Sequence, residues 1–164
     1  MLRAEVTSPC YDAVHTRTVA FVDGDYWVVH DRLRAPTPHE YAARWHLAPV
    51  RGDGGVELGV GRVSAPGLLL LAPHGTLRLT DGWVSPSYGV KESAPVVVAT
   101  ATGTDVDLVT VLLPDRADAT DPTGATVTAD CSGDAVTVRV DRPGVGVDTV
   151  RWSGTDDPAW ERTC

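Results

Sequence analysis

Apolar and polar residues alternate along much of this chain in short runs, each closed by Asp, Gly or Pro. Residues 15–22 partly alternate, Asp23-Gly24-Asp25 follows, and 26–33 runs on with Tyr, Trp and Val. An Asp-Gly between two β-rich runs is a strong hairpin signal, because both residues tolerate the positive φ of a tight turn. A proline-punctuated loop is predicted over 34–39, and a third strand over 40–47. That strand places Tyr41, Ala43, Trp45 and Leu47 on one face and Ala42, Arg44 and His46 on the other. The three runs predict an antiparallel meander.

Further strands are predicted near 56–63, 68–71 and 76–80, then at 95–102, 106–113, 125–131, 135–141 and 145–152. Residues 49–55, 81–89 and 114–124 carry glycine-rich, turn-forming or acidic loop chemistry. About ten strands at this turn spacing predict an all-β, antiparallel two-sheet sandwich. No segment sustains a 3.6-residue apolar period, so little helix is expected. No repeat or shift in composition divides the chain, and residues 1–164 are read as one domain. Valine and threonine dominate while isoleucine, asparagine and glutamine are absent, which favours strands.

Charge narrows the function classes. The net charge of -8 argues against nucleic-acid binding, which needs a basic face to displace counterions. No apolar run approaches the roughly 20 residues of a membrane span, and the N-terminus has no signal-peptide apolar region. The compartment stays open. Cys10, Cys131 and Cys164 are scattered with no metal-ligand spacing, and read as free or buried thiols.

Motifs for familiar chemistry are incomplete. His39-Glu40 opens like a zinc HExxH motif, but Ala43 stands where the second histidine belongs. There is no GxSxG, and Gly59-Val60-Gly61 lacks the third glycine of a dinucleotide loop. Asp105-Val106-Asp107 resembles the start of a calcium loop without its remaining ligands. His30 and His46 lie on runs predicted to be neighbours, yet a pair is one short of a catalytic zinc set. They read as strand histidines bonded to backbone or water. No cofactor, metal or catalytic residue is predicted. Tyr26, Trp27, Tyr41, Trp45, Trp83 and Tyr88 suit either a sandwich core or a sugar-stacking platform, with core the preferred reading.

Two segments go further. Residues 15–33 (HTRTVAFVDGDYWVVHDRL) and then Arg44-Trp45-His46-Leu47-Ala48-Pro49 resemble a stretch in the C-terminal β-domain of heparinase II/III-like proteins. Trp83-Val-Ser-Pro-Ser-Tyr-Gly89, Lys91, Ala94-Pro95 and Val111-Leu-Leu-Pro114 follow in the same order, so the resemblance spans residues 11–114. It implies a parent polysaccharide lyase that cleaves uronic-acid-containing glycans by β-elimination. There a base removes the C5 proton while fixed donors neutralise the carboxylate. In the family those groups come from an N-terminal α/α-toroid and a His-x-His-x-Asp segment, neither of which this sequence contains. The expectation is therefore a non-catalytic C-terminal sandwich that supports the toroid and walls one side of the cleft. Arg44, His46, Trp83 and Tyr88 are the candidate glycan contacts, since arginine pairs with carboxylates and aromatics stack on sugar faces. The alternatives are a free-standing carbohydrate-binding module and a purely structural one.

Overall fold

Asp23 and Gly24 both have positive φ, 51° and 65°, and the Asp25 amide donates to the Val22 carbonyl at 2.9 Å. This is the primed turn that suits the twist of a hairpin. It joins β2 (Tyr11–Val22) to β3 (Tyr26–His46) in the computed structural model, which describes residues 1–50, 55–115, 124–154 and 158–163. Those residues form twelve strands and no α-helix. The others are β1 (Leu2–Ser8), β4 (Glu57–Gly59), β5 (Arg62–Ala65), β6 (Leu68–Leu71), β7 (Thr76–Val84) and β8 (Glu92–Pro114), then β9 (Thr126–Ser132), β10 (Ala135–Arg142), β11 (Gly146–Ser153) and β12 (Ala159–Thr163). One sheet runs β1-β2-β3-β8-β6-β5-β4, with β7 also on β8, and the second runs β12-β11-β10-β9. All pairs are antiparallel, as the predicted all-β sandwich requires.

Several elements differ from expectation. Residues 40–47 are not a third strand beside 26–33 but continue the same strand through the prolines. The ladder to β8 breaks between Arg34 and His39, so Pro36 and Pro38, which lack an amide hydrogen, fall where no ladder bond is needed. Opposite them, the expected link at Gly103-Thr104-Asp105 is also strand, making β8 a 23-residue element. His46 therefore lies far along the strand that holds His30, and the two cannot meet across a sheet. Three further corrections are β1 and β12, which the sequence pattern did not predict, and the first part of 81–89, which extends β7 to Val84. Residues 51–54 and 116–123 of the expected loops, and Cys164, lie outside the described residues.

Two layers meet at the first core. Ala20, Val22, Tyr26, Val28, Leu69, Leu71, Val109, Val111 and Leu113 of the large sheet pack on Val136, Val138, Val140, Val150 and Trp152 of the small one. The outer face of the large sheet is buried by its own bend. Leu47 and Val97 from the far halves of the long strands cluster with Val63, Leu70 and Ala72. Leu33 and Leu108 meet Tyr41, Ala43 and Ala99 in the same way. A tetra-leucine strand such as β6 is explained by this arrangement, because both of its faces are covered.

The aromatics divide between roles. Tyr26 is fully buried, Tyr41 and Trp45 are half-buried, and Trp27, Trp83 and Tyr88 are exposed. Core was thus right for Tyr26 and wrong for these last three. Trp27 instead stacks on Phe21 at the surface, with ring centroids 4.1 Å apart.

Gly75 immediately precedes β7 at φ 79°, and a Cβ there would sit 2.6 Å from the Thr100 carbonyl oxygen. Gly75→Ala combines left-handed strain of about 1–2 kcal/mol with a backbone clash. A urea melt should therefore register a loss of at least about 2 kcal/mol.

Candidate functional site

The bend of the large sheet leaves an open cavity of about 370 Å³ between β1–β2 and the far half of β3. His15 and Arg17 alternate onto this outer face of β2, and Asp31 of β3 stands opposite Arg17 in the register. Asp31 is buried and accepts from Arg17 Nε at 2.6 Å and Nη2 at 2.8 Å, while His15 Nε2 lies 2.6 Å away. Three contacts at one buried carboxylate satisfy it and fix both partners. The hydrogen bonds to Asp31 raise the Arg17 pKa above its ordinary value, outweighing burial. The Arg17 guanidinium also lies 5.6 Å from the Trp45 ring centroid. Tyr11, His39, Glu40 and Tyr41 also line it, beside apolar side chains that include Val6, Leu33 and Leu108, and the Tyr41 hydroxyl is buried without a hydrogen-bond partner. The cavity therefore offers aromatic surface and fixed donors, features that suit a polyhydroxylated ligand.

The sequence-predicted contacts lie elsewhere. Arg44 and His46 alternate to the opposite face of the far half of β3, and both are exposed. Arg44 and Arg78 of β7 are each register partners of Val98, so they flank it from the two neighbouring strands. His46 and Thr80 flank Val96 likewise. Neither Arg44 nor Arg78 has an ion-pair partner among the described residues. Two strand spacings separate them by about 10 Å, leaving two unneutralised cations on an acidic protein. Trp83 stands near the end of β7 and Tyr88 in the turn beyond, both exposed, and the Lys91 ammonium covers one face of the Trp83 ring at 4.2 Å from its centroid. The structure thus joins Arg44 to His46 and sets Trp83 and Tyr88 apart at the β7–β8 turn.

Sequence reasoning missed the His15–Arg17–Asp31 cluster, the pairing of Arg78 with Arg44, and a third group on the inner face. There His30 Nε2 lies 2.6 Å from Asp107 Oδ1, beside Cys131. The i, i+2 spacing of His15 and Arg17 on an alternating strand was a usable signal. The other two groups depend on strand order.

Fold and site define an all-β two-sheet structure whose larger sheet bends around a largely apolar cavity with a few fixed polar groups. The family model for heparinase II/III-like, C-terminal, matches residues 7–111, and the chain belongs to that family. Two solved structures are similar to it. One is a heparinase III (BT4657 gene product), at 16% identity and a TM-score of 0.72, covering 93% of this chain and 26% of that one. The other is the same product with methylated lysines, at 16% identity and a TM-score of 0.71, covering 93% and 25% respectively. This chain thus spans about a quarter of the length of those heparinase III chains. No curated protein matches it.

Proposed function

We propose that this chain is the C-terminal β-sandwich of a larger heparinase II/III-like polysaccharide lyase. It supports an α/α-toroid and forms one wall of the cleft in which an acidic glycan undergoes β-elimination. The observation that carries this reading is the match over nearly the whole of this chain to only a quarter of a heparinase III chain, within a shared family. A cleft wall adds rate through orientation alone, without a group that moves a proton. Arg44 and Arg78 suit successive anionic groups of a polyuronate, because guanidinium and carboxylate pair through two parallel hydrogen bonds. His46 adds a donor beside Arg44, while Trp83, which falls with Leu77 and Leu79 on the other face of β7, and Tyr88 offer stacking surface separately, at the β7–β8 turn.

Affinity electrophoresis in gels containing a uronate polymer tests this reading. The chain should be retarded there and not by a neutral glucan, with retardation falling as salt rises. Arg44→Ala and Arg78→Ala should each weaken binding by about tenfold, the scale of one charge-assisted hydrogen bond. Absorbance of the unsaturated product should stay flat with this chain alone. Absence of retardation would favour the purely structural role, and clear turnover would overturn the non-catalytic assignment.

A further inference from the structure

The inner face of the sandwich is apolar at its centre and polar at one end. At that end His30 of β3 and Asp107 of β8 project from the large sheet toward Cys131, which packs from β9 of the small sheet. The ligand atoms of the three residues all lie within 4.8 Å of one another, and no other His, Cys, Asp or Glu trio among the described residues comes as close. His30 is buried, and Asp107 and Cys131 are half-buried.

A histidine–aspartate hydrogen bond accounts for two members, and packing against the core places the Cys131 thiol beside them. Arg32, the register partner of Asp107, directs its guanidinium to Asp134 at 2.8 Å and toward Asp105 at 3.9 Å, so it does not neutralise Asp107. Asp107 and Cys131 also border an open cavity of about 490 Å³ together with His74, whose Nδ1 is buried without a hydrogen-bond partner. The Trp152 ring, 5.8 Å from that of His30, shields the other side.

We propose that His30, Asp107 and Cys131 bind a divalent transition metal, zinc by their chemistry, and that this ion ties the two sheets together. One nitrogen, one oxygen and one sulfur ligand suit borderline-soft zinc and none of the hard cations. Tetrahedral zinc with bonds of about 2.0–2.3 Å sets its ligand atoms about 3.3–3.7 Å apart. The histidine–aspartate contact opens slightly to admit the ion and the thiol closes in. Binding releases the thiol proton to solvent and leaves the fourth position toward the cavity and His74. Because the ligands come from both sheets, the ion holds the folded state and not the unfolded chain.

The test uses the full chain, reduced, with Cys10→Ser and Cys164→Ser so that only one thiol remains. Cobalt(II) should bind one-to-one and give a thiolate-to-cobalt absorption band. Zinc at about a hundred times its Kd should raise Tm by roughly 5–10 °C. Cys131→Ser, nearly isosteric, should abolish the band and the Tm response. Its zinc affinity should fall by more than the roughly 10–100-fold that follows loss of an outer partner. If that variant fails to fold, Asp107→Asn serves in its place, retaining the band at reduced affinity. Absence of a thiolate band in the folded chain, or a band and Tm response that survive Cys131→Ser, would overturn the proposal.

Discussion

Asp148→Ala is expected to lower stability by about 3–5 kcal/mol, the cost of removing one partner from a buried ion pair. Asp148 has no exposed surface and holds two guanidinium groups, Arg142 Nη2 at 2.9 Å and Arg162 Nε at 2.6 Å. Arg142 also donates to Asp25 and Arg162 reaches Asp23, so the group fastens the small sheet to the β2–β3 turn of the large one. Deleting the carboxylate leaves Arg142, itself largely buried beside the Tyr26 ring, with Asp25 as its remaining carboxylate, and leaves Arg162 with Asp23 alone. Urea denaturation should register the loss, equivalent to roughly 10 °C in Tm for a chain of this size. The Arg142→Ala/Asp148→Ala double variant should lose less than the sum of the two singles, because the contact between them is removed once and not counted twice.

The same carboxylate makes stability fall in acid. Burial by itself would raise its pKa, but the hydrogen bond from Arg162 and the charges of Arg142 and Arg162 overcome that and hold it below the ordinary aspartate value. A depressed native pKa means the unfolded chain binds the proton more readily. The contribution is therefore complete above the unfolded value near 3.9 and is lost as pH falls through the lower native value. Asp148→Ala should flatten that acid limb. A limb of undiminished steepness in the variant would assign it to other groups.

Trp152→Ala is the second large effect, with an expected loss of about 3–5 kcal/mol. Its side chain is 6% exposed and fills the inter-sheet core at the end opposite Asp148, against Val136 on the neighbouring strand and the His30 ring. Removing it leaves a void between two layers that other contacts hold apart, so little collapse is available to offset the lost packing. Calorimetry should show the loss. Trp152→Phe should recover most of it, whereas a cost below about 1 kcal/mol for the alanine variant would mean the sheets close over the gap.

The legible features were local ones. Asp23-Gly24 announced its hairpin, and Ser132-Gly133-Asp134 announced the β9–β10 turn, where Gly133 takes a φ of 59°. The continuity of β3 was hidden because Pro36 and Pro38 carry turn chemistry, while the tolerance for them comes from an irregularity shared with β8, which no window around residue 36 contains. β1 escaped notice since its residues are exposed and Leu2 and Val6 alternate with nothing buried. The candidate contacts were named from the sequence one residue at a time, and their grouping came only with the strand order. Arg44 could be nominated as a carboxylate-pairing arginine, but Arg78 meets it only through Val98, and Cys131 reaches His30 only because the sheets stack.

The long ladder between β3 and β8 also sets how this chain reaches its native state. Its nearest pair, His46 with Val96, already closes a loop of about fifty residues. Loop closure of that length costs about 3.5 kcal/mol of chain entropy beyond a constant, before any contact rewards it. Of the other strands of the large sheet, β2, β6 and β7 hydrogen-bond directly to β3 or β8, and only β1, β4 and β5 do not. Hairpins can therefore form early but have no sheet to join until the middle of the chain arrives. The domain belongs among slow-folding topologies of high contact order, in which unpaired edges wait longest for their neighbours.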